Sequence, residues 1–461
     1  MTHRRFLVTA LALALPPSVV ARPAAAQSSN RAAVVASIDS VAAHYLADGK
    51  GAGLSIAVVR GRDTLAMRGY GFADLEYDVP TPPHAIYEIG SVTKQFTAAS
   101  ILLLQERGKL SLDDPIQKHL PDYDTQGRTV TIRRLMDHTS GIQGYTELPE
   151  FGALMTRKLP KDSLVMLFER KPFQFEPGTA EVYNNSAYFL LGLVIEKASG
   201  ESYADFVQKN LFGPVGMTDS RYCSENAIYK RRAHGYDMSP GGKLVRAGFI
   251  DHTWPYAAGS LCSSVWDLVS WNRALHGGRV LSPASYREMT TPGTLTDGTP
   301  MRYAKGLAVH EVGGHRAIEH GGGINGFLSS SNYFPDDDAV IVVLSNSTGV
   351  SADAVAESLA EVVLGKVTPK RVAFTGSLAP YAGSYAGVSR GRPMSVTVSA
   401  SGDSLMVTMM GPGGNKPRAA RYVGADSFAI GDGRLTFVKA NGAVTRLLVD
   451  QVYGLYVLQK K

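Results

Sequence analysis

The sequence predicts an α/β protein: an antiparallel sheet flanked by helices, with a helical subdomain set into it and a small all-β barrel appended at the C-terminus. Three observations carry this. Strand-like runs joined by hairpin signals stand near both ends of residues 31–365. Helical patterns broken by Gly/Pro turns occupy the stretch between them, and a helix closes the region, the arrangement of a sheet completed by both ends of one domain. Beyond residue 375 the chain breaks into short strand-like runs mostly about ten residues apart, the spacing of an antiparallel barrel or sandwich.

The elements follow in order. His3, Arg4 and Arg5, the apolar run Phe6 to Leu15 and the A-x-A site Ala24-Ala25-Ala26 read as a signal peptide over residues 1–26. Pro16-Pro17 and Arg22 interrupt that run, so no membrane anchor is expected after cleavage. Arg4-Arg5 stands one residue too close to Phe6 for the usual twin-arginine pattern, which favours ordinary secretion and a periplasmic or secreted protein. Ala32 to Leu46 has helical periodicity. Leu54–Val59 and Thr64–Gly69 read as strands turned by Gly61-Arg62-Asp63. Val92 to Arg107 is an amphipathic helix stopped by Gly108, with Ser91 as its expected N-cap, and Ala187 to Ala198 is a second, ended by Gly200. Late strands run Gly306–Val312, His315–Glu319 across Gly313-Gly314, Gly326–Tyr333 and Ala339–Leu344, and Val350–Leu364 closes the domain. Residues 366–375 are polar, carry Pro369 and read as a linker to a unit over residues 376–461. Six strands are expected there: Tyr381–Ala386, Met394–Val398, Ser404–Met409, Phe428–Ile430, Leu435–Val438 and Val444–Leu448.

Composition narrows the function classes. With 44% hydrophobic and 19% charged residues the chain is ordinary globular material. Arg4, Arg5 and Arg22 leave with the leader, which holds no acid, and take the formal charge from +6 to +3. No basic run remains to bind nucleic acid. The two cysteines, Cys223 and Cys262, are free to pair in an oxidising compartment, although their number does not imply it.

Ser91-Val92-Thr93-Lys94 opens a predicted helix, so Ser91 and Lys94 share one face with Cβ atoms about 5–6 Å apart. A lysine able to lose its proton beside a hydroxyl at the positive end of a helix makes a nucleophile. An N-cap serine with a surface lysine would have the same spelling, so the motif decides little alone. Tyr183-Asn184-Asn185 (Y-x-N) and His320-Gly321-Gly322 (H-x-G) follow it along the chain.

In that order the three motifs resemble the serine β-lactamase, D,D-peptidase and family VIII carboxylesterase superfamily. Leu112-Asp113-Asp114-Pro115, Leu135 to Gly141, Phe175-Glu176-Pro177-Gly178, Pro214-Val215-Gly216-Met217 and Gly259 to Ser263 resemble its connecting segments. The resemblance implies catalytic Ser91, Lys94 and Tyr183, with Ser91 attacking a carbonyl and the other two sharing its proton. It implies an oxyanion held by the backbone N–H groups of Ser91 and Gly323, beside Gly322. Asn185 would hold an acyl amide or position Lys94, and His320 would tune Tyr183 by a hydrogen bond. No metal and no cofactor are implied. Leu378, Tyr381, Gly383 and Tyr385 are similar to the lipocalin-like barrel often appended to such hydrolases, where it would cap the cleft.

Two patterns compete and are set aside. Gly387-Val388-Ser389-Arg390-Gly391 spells a nucleophile elbow, but strands follow it and no acid and histidine come later in the required order. His310, His315 and His320 lie five apart on a hairpin with no metal-binding signature. His138 is expected to buttress the site from a turn rather than take protons. Gly321 stands where the threonine of K-T-G contacts a carboxylate, which favours small esters and D-amino-acid amides or peptides over β-lactams. The alternatives are a D,D-carboxypeptidase or class C-type β-lactamase acting on cell-wall peptides or β-lactams, and a slow penicillin- or wall-binding protein.

Overall fold

The computed structural model describes residues 24–368, 372–402, 404–410, 416–431 and 433–461. Residues 1–23 of the expected leader and 369–371 of the expected linker lie outside them. Helix α1 (Ala24–Leu46) leads into β1 (Gly53–Arg60), β2 (Asp63–Asp74) and the short β3 (Val79–Pro80). The helical stretch between the two halves of the sheet includes α2 (Thr93–Glu106), α3 (Asn185–Ser199) and α4 (Val265–His276). β4 (Ala308–Val312), β5 (His315–Ile324), β6 (Phe327–Phe334) and β7 (Ala339–Ser345) then complete the sheet, and α5 (Ala352–Leu364) packs back on it. The order across the sheet is β4-β5-β6-β7-β1-β2-β3, antiparallel at each pairing, so β1 and β7 meet in the centre although they come from opposite ends of the domain.

Both faces of this sheet are covered, which is why β1 and β7 read as nearly unbroken apolar runs instead of alternating ones. Ile56, Val58, Ile341 and Val343 point to one side, against Ile38 and Ala42 of α1 and Val355 and Leu359 of α5. Ala57, Val59, Val340 and Val342 point to the other, into a large core with Phe96, Leu102, Tyr188 and Trp271.

The C-terminal unit is a closed eight-stranded antiparallel barrel: β8 (Gly383–Ser389), β9 (Arg392–Ser401), β10 (Ser404–Met410), β11 (Arg418–Gly424), β12 (Ser427–Ile430), β13 (Gly433–Ala440), β14 (Ala443–Gln451) and β15 (Gly454–Lys460). β8 pairs with β15 and removes the free edges. The sequence yields six of these strands and misses β11 and β15. In β11 Arg418 and Arg421 break the apolar pattern, and only Ala420 is buried.

The barrel is joined to the rest by backbone and by charge. Glu181–Val182 adds to the outside of β15 as a two-residue strand, with Leu455 opposite Glu181 and Gly454 opposite Val182. Val182 packs into the barrel core. Arg302 donates to the Asp450 carboxylate at 2.7 Å and to its backbone carbonyl at 2.9 Å. Residue 183 therefore emerges directly from a segment hydrogen-bonded to the barrel.

Candidate active site

Ser91 sits in a 3-10 turn, Gly90–Val92, that feeds α2. It is not the N-cap expected from the sequence: the cap position of α2 is Val92, with no side-chain cap bond. The reason is Gly90, whose φ of 48° forces a tight turn before the helix can begin. Ser91 Oγ is left uncommitted to capping and half-exposed. The turn is clamped by Ile89, whose N–H donates to Leu261 O at 3.0 Å and whose carbonyl accepts from Ser329 Oγ at 2.8 Å.

One turn into α2, Lys94 is fully buried. Its Nζ makes three contacts: Ser91 Oγ at 3.2 Å, Asn185 Oδ1 at 2.8 Å and Ala258 O at 2.9 Å. Two of these partners can only accept. A neutral amine satisfies all three by donating its two hydrogens to the amide and the carbonyl and turning its lone pair to the Ser91 hydroxyl. Burial pushes the ammonium well below the ordinary lysine value, and the Arg390 guanidinium pushes the same way.

Asn185 is free for this contact because Asn184 caps α3, accepting from the Ala187 N–H at 3.1 Å. Tyr183 lies across the site, with Lys94 Nζ 4.6 Å from its ring centroid. Burial raises the Tyr183 phenol above its ordinary value, and the neighbouring Ser91 hydroxyl and Arg390 charge only partly counter it. The environment thus drives the lysine and the tyrosine in opposite directions, towards a neutral base and a neutral acid. His138 braces the tyrosine as expected, its ring 4.5 Å from those of Tyr183 and Tyr303 and its Nδ1 accepting the Asn184 N–H at 3.1 Å. Burial, with Lys94 nearby, depresses its basicity far below the ordinary histidine value.

The H-x-G motif lies within β5 rather than at a strand end, because Gly321, Gly322 and Gly323 continue the ladder opposite Ser330, Ser329 and Leu328. Here tertiary pairing overrides the weak strand preference of glycine. A Cβ on Gly322 would stand 2.3 Å from Ile89 O and 3.1 Å from Ser91 N, and one on Gly90 would stand 2.9 Å from Gly323 N. Only glycines let the backbone of β5 lie against the Ser91 turn, which brings the main chain of Ser91 and Gly323 together. The hydrogen bond expected from His320 to Tyr183 does not form. His320 Nδ1–H donates to Gly321 O at 2.5 Å and Nε2 accepts from Tyr303 O–H at 2.9 Å, so both nitrogens are spent within the wall.

Two residues that sequence reasoning missed come from the barrel. Tyr453, on the turn between β14 and β15, stacks on His320 with centroids 5.0 Å apart. Its hydroxyl accepts the Gly321 N–H at 2.6 Å and donates to the Glu319 carboxylate at 3.0 Å. A Cβ at position 321 would meet that hydroxyl at 3.0 Å and Asp353 Oδ1 at 3.1 Å, so a side chain there would crowd both. Arg390, on the turn between β8 and β9, places its guanidinium 5.5 Å from the Tyr183 ring centroid. The set-aside elbow spelling is therefore a hairpin turn, yet it reaches the site. No local signal marks either residue, since both arrive by docking of a separate unit.

Behind the Ser91 turn, Tyr87–Glu88 pairs with Leu261–Ser263, which pairs with Arg221–Tyr222, and Cys223 and Cys262 are joined by a disulfide. Glu88, Glu225 and His252 approach closely enough to hold an ion. Arg232, however, donates to both carboxylates, and His252 Nε2 lies 3.5 and 3.8 Å from them, a charge-balanced quartet rather than an open metal site. The three hairpin histidines are likewise dispersed: His310 bonds Glu319 and His315 bonds Asp337.

The Beta-lactamase family model matches residues 38–365. The chain belongs to this family. It is a serine hydrolase of mixed α/β fold. It is 30% identical over 315 residues to penicillin-binding protein 4* of Bacillus subtilis, covering 63% of this chain and 67% of the relative. Against the D-aminopeptidase of Brucella anthropi it is 29% identical over 334 residues, 71% of this chain but 62% of that one. Among solved structures, the octameric penicillin-binding protein homologue from Pyrococcus abyssi superposes with a TM-score of 0.65 at 27% identity, over 92% of this chain and 100% of that one. A D-stereospecific amidohydrolase from Streptomyces superposes with a TM-score of 0.63 at 26% identity, over 72% and 99%.

Proposed function

We propose that this hydrolase cleaves small esters and D-amino-acid amides or peptides through an acyl-enzyme on Ser91. The contact of a buried, deprotonation-prone Lys94 with Ser91 Oγ at 3.2 Å carries the reading. Lys94 takes the hydroxyl proton as Oγ attacks the carbonyl carbon, and Asn185 and Ala258 O hold the resulting ammonium. The negative charge on the carbonyl oxygen falls between the backbone N–H groups of Ser91 and Gly323. The tetrahedral adduct collapses, the bond to the leaving group breaks, and the neutral Tyr183 phenol supplies a proton to the departing atom, to be restored from Lys94. Water then attacks the acyl carbon with the same groups in reverse roles.

The substrate class is supported from two sides. A D-aminopeptidase and a D-stereospecific amidohydrolase are among the similar proteins. Gly321 offers no side-chain donor to grip a carboxylate, and a side chain in its place would crowd Tyr453 and Asp353. The expected leader adds export to the periplasm or medium. Purified Ser91→Ala is expected to lose p-nitrophenyl ester hydrolysis while keeping the fold. Full activity in that variant would overturn the assignment, and nitrocefin turnover faster than that of short esters would favour a β-lactamase instead.

A further inference from the structure

Beyond Glu319, strand β5 runs on without its neighbour β4. The ladder between them ends where Ala308 stands opposite Glu319, so among the described residues no strand covers the edge of β5 at Gly321 and Gly323. Backbone groups alternate in direction along a strand. The Gly321 N–H turns away from β6 to reach the Tyr453 hydroxyl at 2.6 Å, so the N–H and carbonyl of Gly323, two residues on, face the same edge. At Gly321 both groups are taken, because its carbonyl accepts from His320 Nδ1 at 2.5 Å. Gly323, which supplies the oxyanion N–H of the proposed mechanism, is the position left for a substrate to pair with.

Tyr453 is held firmly in this place. Its ring lies on His320 with planes 18° apart, and its hydroxyl donates to Glu319, a carboxylate that also bonds His310 Nε2 at 2.9 Å. Its chain neighbour Gly454 pairs with Val182, so backbone ties the turn carrying Tyr453 to the segment carrying Tyr183. The two tyrosine rings stand 5.7 Å apart. Tyr183 is the group that hands a proton to the departing atom, which puts Tyr453 on the leaving-group side of the scissile bond. From Gly323 to Gly321 the strand rises roughly 7 Å, the length of about two extended residues. A leaving chain laid along β5 therefore meets the Tyr453 phenol within its second residue.

We propose that Tyr453 is a specificity-determining residue, a stop contributed by the barrel that limits how much chain can follow the scissile bond. The hydrolase then releases ammonia, a short alcohol or a single residue and does not cut within longer peptides. This rests on the Ser91 acyl-enzyme reading and deepens it by naming the substrate class on the leaving side. A flat aryl leaving group makes no ladder bonds to β5 and is not held to that edge.

The test uses two peptides with the same acyl group and the same leaving nitrogen, D-alanylglycinamide and D-alanyl-triglycinamide, and measures kcat/KM for release of D-alanine. The wild type is expected to prefer the shorter peptide by at least about 10-fold, the scale of one or two backbone groups left without partners. In Tyr453→Ala that preference should fall at least about 5-fold, as the edge opens and the Gly321 N–H becomes free to pair. Tyr453→Ser, which keeps a hydroxyl without the ring, takes its place if the alanine variant does not fold. Because the readout is a ratio, a general loss of rate or of folded protein does not imitate it. A smaller wild-type preference, no release from the shorter peptide, or a smaller fall in the variant overturns the stop. Fluorophosphonate labelling of the wild type separates that failure from failure of the underlying reading: with Ser91 labelled the stop falls alone, and with Ser91 unlabelled the acyl-enzyme falls with it.

Discussion

Asn185→Asp tests the assignment of Lys94 as the base. The side chain keeps its shape, and the oxygen that accepts from Lys94 Nζ at 2.8 Å stays in place. The outer contact shifts, because Thr146 now accepts from Asn185 Nδ2 at 3.4 Å while donating to Glu147 at 3.0 Å, and must release Glu147 to donate to the new carboxylate. The larger change is charge. Two unit charges about 4 Å apart in an effective dielectric of about 20 attract by about 4 kcal/mol, which moves the Lys94 titration upward by about three pH units. Burial and Arg390 at present hold that titration well below the ordinary lysine value. The acid limb of the kcat/KM profile for a p-nitrophenyl ester should therefore move to higher pH by that amount. At neutral pH the rate should fall, by at most about 10³, and alkaline buffer should restore much of it. An equal loss at every pH would mean that Asn185 serves only as structure. An unmoved acid limb would mean that Lys94 is not the base.

Two further outcomes follow from the surroundings of the site. Tyr453→Phe leaves the Gly321 N–H without its acceptor and the buried Glu319 without one of its donors. It should lower stability by about 2–3 kcal/mol in denaturant unfolding. An unchanged midpoint would show that the barrel turn does not brace β5. For His252, burial opposes protonation, but Glu225 and Glu88 outweigh it and raise the imidazole to about 9 from an ordinary 6.5. The gain, roughly 3 kcal/mol, is complete below pH 6.5 and is lost as pH rises through about 9. The melting temperature of the wild type should fall over that window more than that of His252→Gln; parallel curves would remove His252 from the account.

What could be read in the chain, and what could not, divides along a physical line. Ser91, Lys94, Tyr183, Asn185 and His320 are legible because the chemistry demands those residue types and two of the motifs open helices. The central strands are legible because burial on both faces forces apolar runs such as Leu54–Val59. The N-cap assignment failed at Gly90, where a positive φ inserts a turn that no propensity anticipates. The exchange of partners by His320 was out of reach because Tyr303 and Tyr453 approach it only in the folded molecule. Arg390 was hidden inside a misleading serine motif, and its role depends on where a barrel docks, which no periodicity encodes.

The central claim is that a covalent bond forms at Ser91. The most direct measurement is intact-mass spectrometry of the protein treated with a fluorophosphonate, followed by peptide mapping. One adduct per chain is expected, on the peptide carrying Ser91, and none on Ser91→Ala. An adduct that maps elsewhere, or stoichiometric labelling that persists in Ser91→Ala, would contradict the account.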